Sequence, residues 1–420
     1  MAGAVAAVHS DGAALTAQEW SKRIRTELAG NILPFWPQHV LDRNGWGFFG
    51  AVGDDLTVHA EAPRASVVNT RILWTYATAA RRLGTEWRQT ADWAFAAVAN
   101  RFWDREAGGL FWWLDAAGTP LKTHKQSYAQ GFGIYALSEY YHLTRNTAAL
   151  DLAKRLYALL ERHCFDPVHG GYCEARDRHW RAMADMRLSD KDLNSPKSMN
   201  THLHVLEGYT NLLRVWPDDG LRNRQRALIA TMLNRIVDSR SGHFKLFFDE
   251  AWTSLLDRVS FGHDIEGSWL LVEAAEVVGD KALLAEARDV AVRMAEACLA
   301  EGVDGDGSML FEADTGGRIL DASRHWWVQA EAVIGFYNAF QLTGDRRFRA
   351  AAARVWDYIE ARIVDRVHGE WHAKLTRAGI PVRQHDDADA VLAGPWKCPY
   401  HNARVCFEML DRLASEKTAS

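Results

Sequence analysis

GGLFWWLD at residues 108–115 is followed by QSYAQGFGIYALSEYYHLTR at 126–145 and AALDLAKRLYALLERHCF at 148–165. Two glycines set a turn, and the alternating apolar and aromatic residues behind them read as a short strand. The second segment is rich in glycine, alanine and aromatics nearly all round, as a buried helix should be. The third carries a polar face, as a helix on the outside should. The unit is a turn, a strand, a buried helix and an amphipathic helix, and its turn-and-strand part recurs as NGWGFFG from Asn44, GGYCEARD from Gly170, GHFKLFF from Gly242, GDGSMLFEAD from Gly305 and HGEWHAKL from His368. Intervals of roughly 60 to 70 residues mark a repeat architecture.

Helical segments number about twelve, the even ones beginning near Val67, Gln126, Ser198, His263, Arg324 and Pro399. The odd ones carry charged faces, as in LLAEARDVAVRMAEACLAEG at 283–302. Six buried helices inside six amphipathic ones predict an all-α (α/α)6 barrel with short strands in the connecting loops. An open α-solenoid is the alternative. Residues 17–420 are expected to form this single catalytic domain. Residues 1–16 read as a flexible leader, since they lack the basic n-region of a signal peptide.

The chain has 420 residues and a net charge of −5, with acids and bases interspersed. Nucleic-acid binding would need a clustered basic surface, so no such partner is expected. No run reaches the roughly 18 apolar residues of a membrane span, so no membrane partner is expected either. The five cysteines are scattered and form no C-x-x-C, which argues against a disulfide framework or a zinc cage and suggests a reducing cytoplasm. Tryptophan is abundant, at 18 residues. An indole can fill a core or stack against the apolar face of a sugar, and composition alone does not choose.

Polar and aromatic residues gather at the starts of the even helices. They are Arg71, Tyr128, Asn200 with His204, His263 with Glu266, Trp326 and Trp327 with Glu331, and His401 just after Trp396. In a barrel these ends converge on one mouth, where positive helix termini also favour oxyanions. Three histidines, an arginine and several carboxylates suit proton transfer near neutrality. His202 and His204 are two apart and so lie on different helix faces, and no HExxH is present, so no metal is expected. The G-x-S-x-G elbow of a serine hydrolase is absent. A glycosidase needs two opposed carboxylates, which Glu266, Glu331 and Asp192 could supply. In SFGHDIEGSWL at 260–270, His263, Glu266 and Trp269 share one helix face, which suggests that Glu266 orients His263 while Trp269 packs.

KSMNTHLHVLEGYT, GHDIEGSWLL, HWWVQAEAV and PWKCPYH resemble the N-acylglucosamine 2-epimerase superfamily, most closely its cellobiose 2-epimerase branch. The resemblance runs through nearly the whole chain after about residue 17. It implies an (α/α)6 barrel without metal or organic cofactor, acting on the reducing end of a small carbohydrate. It implies acid/base roles for His263 and His401, with His204 and Arg71 stabilising the intermediate. Glu266 falls where the family orients a histidine and binds a hydroxyl. Tyr128, Asp192, Asn200 and Glu331 match sugar-contacting positions, and Trp327 and Trp396 match stacking platforms. Gly208 and Gly267 depart from the family, which often has alanine there, and VRQHDDADAVLAGP at 382–395 lies where the family varies with substrate. The implied reaction is C2 epimerisation of a cellobiose- or lactose-type disaccharide, or of mannose and glucose, through a cis-enediolate. An aldose–ketose isomerase, a glycosidase and a sugar-binding module are the alternatives.

Overall fold

The computed structural model describes residues 16–419, with side chains to residue 416. The expected leader therefore lies outside the described residues except for Thr16, which caps the first helix: its Oγ accepts from Glu19 N, and the Glu19 carboxylate accepts in turn from Thr16 N. Six outer helices are α1 (Ala17–Glu27), α3 (Arg88–Ala97), α5 (Thr147–His163), α7 (Asp219–Thr231), α9 (Lys281–Ala297) and α11 (Arg346–Tyr358). Six inner helices alternate with them: α2 (Ser66–Arg82), α4 (Ser127–Thr144), α6 (Met199–Val215), α8 (Phe261–Val278), α10 (Trp326–Thr343) and α12 (Tyr400–Ala419).

Each inner helix packs on the next, and α12 packs on α2, which closes the ring. Closure removes the open solenoid: the chain is an (α/α)6 barrel. The inner helices are buried nearly all round because both their neighbours and the outer layer cover them.

The repeat is visible in hydrogen bonds. The two residues ahead of an inner helix pair antiparallel with the hairpin that follows the next outer helix. Arg64–Ala65 pairs with Trp113–Leu114, Lys125–Gln126 with Ala175–Arg176, Lys197–Ser198 with Phe247–Phe248, Val259–Ser260 with Glu312–Ala313, and Arg324–His325 with Lys374–Leu375. The first N–H of each of these helices then donates to that hairpin: Ser66 to Trp112 O, Ser127 to Glu174 O, Met199 to Leu246 O, Phe261 to Phe311 O and Trp326 to Ala373 O. Each bond satisfies a helix-end donor that has no partner in its own helix and fixes that end in the wall of the mouth. Among the described residues no hairpin follows α12. Its approach is tied instead to the first one, where Val52 pairs antiparallel with Ala393.

Residues one turn into the inner helices hold the preceding hairpins. Gln130 bonds both N and O of Leu110, Gln329 bonds both N and O of Met309, and Asp264 accepts from Phe244 N. His202 belongs to this set: its Nε2 accepts from Tyr172 N at 2.8 Å, and its Nδ1 donates to Ser198 O at 2.6 Å.

The glycine at position 208 has a packing reason. A Cβ there would meet Gly131 O at 2.5 Å, so α4 and α6 touch backbone to backbone. That contact brings the Tyr128 ring against the His204 ring, with centroids 4.9 Å apart. Tryptophan divides by burial. Trp20, Trp36, Trp269, Trp356 and Trp371 are fully buried, whereas Trp327 and Trp396 are only half-buried. Among the described residues no helix is long and apolar enough to cross a membrane.

Candidate active site

The inner-helix N-termini surround a cavity of about 200 Å³. Arg71, Tyr128, Asn200, His204, His263, Glu266, Trp327 and His401 line it from the helices, and Asp192 and Trp396 line it from loops. Ten of the eleven residues expected at the site therefore meet in one place. Glu331 is the one that does not reach the cavity.

His401 sits at the second position of α12, and its Nδ1 donates to Glu331 Oε1 at 2.7 Å. That bond places the ring proton on Nδ1 and leaves Nε2 for the cavity. His204 is held the same way, with Nδ1 donating to Glu207 Oε2 at 3.0 Å. His263 is held differently: its Nδ1 lies 2.8 Å from the Ser260 hydroxyl, which can donate or accept. Both imidazoles lie against the Trp327 indole, its centroid 4.8 Å from that of His263 and 5.7 Å from that of His401.

Arg71 is buried in the cavity wall beside α12, its guanidinium 5.0 Å from the centre of the Tyr400 ring. Its Nη2 donates to Tyr128 Oη at 2.7 Å, and its guanidinium lies 4.2 Å from the centre of the Phe132 ring. Arg71 Nε and Asn200 Oδ1 are buried and have no partner within the protein. Two unmet polar atoms on the wall of one cavity are what a polar ligand would satisfy. The Asp192 carboxylate accepts from Ser189 N and Oγ, which folds the loop so that Ser189 and Leu188 also face the cavity.

Burial holds the His263 imidazole down at about 3, assisted by the nearby His204 and Arg71. Burial also holds His401 well below the usual histidine range, assisted by Arg404 and Arg71. Both rings are therefore neutral bases at pH 7. Burial pushes Glu266 up to about 7, and the adjacent Glu331 adds to this while Arg404 opposes it. Burial acts against the charge on Glu207 as well, but Arg404 and His204 outweigh it and hold that group at about 2.

The model of the N-acylglucosamine 2-epimerase family matches residues 47–397. The chain belongs to that family. It is 44% identical over 390 residues to the cellobiose 2-epimerase of Bacteroides fragilis, covering 93% of this chain and 98% of that one. The solved cellobiose 2-epimerase of Bacillus thermoamylovorans superposes with a TM-score of 0.88 at 39% identity, over 94% of this chain and all of that one. A solved D-mannose isomerase superposes with a TM-score of 0.80 at 20% identity, over 93% of this chain and 97% of that one, which is a likeness of fold.

Two expectations for the site are corrected, one from helix spacing and one from the resemblance. Glu266 does not orient His263, whose partner is Ser260; the Glu266 carboxylate accepts instead from Arg404, and its Oε1 lies 3.9 Å from His401 Nδ1. Sharing a helix face does not make partners of two side chains when a stronger donor faces one of them from across the barrel. Glu331, expected against the sugar, is fully buried behind His401, and Trp269 Nε1 donates to its Oε2 at 3.0 Å. Trp269 is thus a hydrogen-bond donor as well as core.

Arg404, Glu207 and Ser260 were not singled out by spacing. A readable signal did exist for the first two: each is a formal charge set among apolar or small neighbours, in VLEGY at 205–209 and ARVC at 403–406. Glu266, Glu331 and His401 also have donor atoms within 4.8 Å of one another, close enough to share an ion. Arg404 Nη2 donates to both carboxylates, so a fixed cation already stands among them.

Proposed function

We propose that this protein interconverts C2 epimers at the reducing end of an aldose, with a cellobiose- or lactose-type β-1,4-disaccharide as substrate. The names of the relatives support the reaction class. The observation that carries the reading is the pair of neutral imidazoles, His263 and His401, set against one indole in one cavity. Inverting C2 requires a base on one face of the carbon and an acid on the other.

In the ring-opened sugar the C1 aldehyde acidifies the C2 proton. One imidazole takes that proton, the C2–H electron pair forms the C1–C2 double bond, and O1 becomes an enediolate oxyanion. Arg71 and His204 stabilise that charge in a water-poor site, where preorganised donors count most. The other imidazole, having taken a proton from solvent at its cavity-facing nitrogen, returns it as the imidazolium to the opposite face of C2, and the first ring releases the abstracted proton to solvent. Tyr128, Asn200 and Asp192 hold hydroxyls, while Trp327 and Trp396 stack on the sugar faces. Glu331 fixes the His401 tautomer, and Glu266, poised near neutrality, bonds a substrate hydroxyl. We place this chemistry in a single catalytic domain over residues 17–420, without metal or organic cofactor, and in the cytoplasm, in keeping with five free cysteines.

Turnover of cellobiose in D2O tests the reading. The expected product is the intact C2 epimer with deuterium at C2, seen by NMR. Deuterium at C1 of a ketose would make the protein an aldose–ketose isomerase. Free glucose with no label at C2 would make it a glycosidase and would move the chemistry to Glu266 and its neighbours.

A further inference from the structure

Behind the cavity wall one guanidinium meets three carboxylates from three different helices. Arg404 Nη1 donates to Glu207 of α6, and Nη2 donates to Glu266 of α8 and to Glu331 of α10, the last at 2.7 Å. Tyr400 closes the group, donating to Glu207 and accepting from Arg404. All five side chains are buried, with Arg404 itself 1% exposed. Such a cluster is a poor device for stability, because a buried ion group usually does no better than apolar residues of the same volume. Its members are instead the groups that hold the histidines: Glu207 holds His204, and Glu331 holds His401.

We infer that Arg404 is a positioning residue for the proposed epimerisation: its guanidinium locks in place the carboxylates behind His204 and His401. This rests on the reading given above. Arg404 touches neither substrate nor reacting atoms. It acts through its planar fork, which reaches α6 through Nη1 and both α8 and α10 through Nη2, as a lysine ammonium cannot. Its charge also bears directly on His401. The groups facing that imidazole are Arg71 of α2, His204 and Glu207 of α6, His263 and Glu266 of α8, and Glu331 of α10, together with Arg404 of its own helix. Removing Arg404 deletes the nearest cation and leaves Glu331 unopposed, and both changes favour imidazolium.

The test compares Arg404→Met and Arg404→Lys with the unaltered enzyme, reading the pH dependence of kcat and, by 15N NMR, the His401 titration itself. Arg404→Met is expected to lower kcat roughly 10²-fold and to raise the His401 midpoint and the acid limb by about 1 pH unit. Arg404→Lys should move both in the same direction by less. If Arg404→Met fails to fold, the Arg404→Lys midpoint decides alone. A midpoint unmoved in every folded variant, with kcat merely scaled down, would overturn the inference and leave Arg404 a packing element. The NMR titration needs no turnover. Failure of the epimerase reading, seen as no product from the unaltered enzyme, is therefore distinguishable from failure of this one.

Discussion

His202 and His204 stand two residues apart on α6, and one helix gives them opposite duties. His202 faces the hairpin at Tyr172, with both ring nitrogens committed to backbone groups. His204 faces the cavity, with only Nδ1 committed, to Glu207, and the rest of the ring beside Tyr128 and Phe132. A ring with both nitrogens used inside the fold can only hold the fold. A ring with one nitrogen fixed and one unused can do chemistry. The same division separates the hairpin-holding residues Gln130, His202, Asp264 and Gln329 from His204, His263 and His401 around the whole mouth.

The sharpest way to break this division is to change the cavity side. His401→Asn and His263→Asn are each expected to lower kcat roughly 10²- to 10⁴-fold while thermal unfolding stays close to that of the parent. Near-parental kcat in either variant would remove that histidine from the two-base scheme. Glu331→Gln keeps the shape but replaces the charged acceptor of His401 Nδ1 by a weaker, neutral amide. A loss of roughly tenfold to a hundredfold in kcat is expected, with KM little changed, because the glutamate does not reach the cavity.

The hairpin side should respond in the opposite currency. His202→Ala leaves Tyr172 N without a partner, which costs about 1–3 kcal/mol. Melting should fall while kcat per folded molecule holds, and a selective loss of kcat would erase the division. Burial holds His202 down at about 4, below the ordinary 6.5. Between those values the unfolded chain binds a proton that the folded chain refuses, so this histidine's contribution is complete above about pH 6.5 and is lost as pH falls toward 4. His202→Asn should flatten the stability–pH curve in that window, as measured by denaturant melts. The smallest expected effect is that of EDTA: activity should be unchanged, and restoration by zinc or manganese after a chelator loss would contradict the proton-transfer scheme.

Much of the barrel was legible because its signals are local. A glycine turn, an alternating strand and an all-round apolar helix each lie within a few consecutive residues, and their recurrence gives the ring. The cavity-lining residues on the helices were legible for the same reason, since each stands near a helix start, whereas Asp192, on a loop, was placed only by the resemblance. Their partners were not. His401 finds Glu331 on another helix, and Arg404 finds Glu207 nearly two hundred residues away. Spacing along one helix suggested that Glu266 serves His263, but distance in the fold decides, and Ser260 and Arg404 are the partners that result.

The bridge between Val52 and Ala393 has a consequence for when the protein becomes competent. The other joints of the ring link adjacent repeats, so they can form as the chain emerges. This seam joins stretches near the two ends of the chain, and its closure carries the largest entropic cost of any joint. Ala393 leads directly into Trp396 and His401. A nascent chain with five joints made still lacks one wall of its mouth, and with it Trp396 and His401, so the cavity is incomplete until its ends have met.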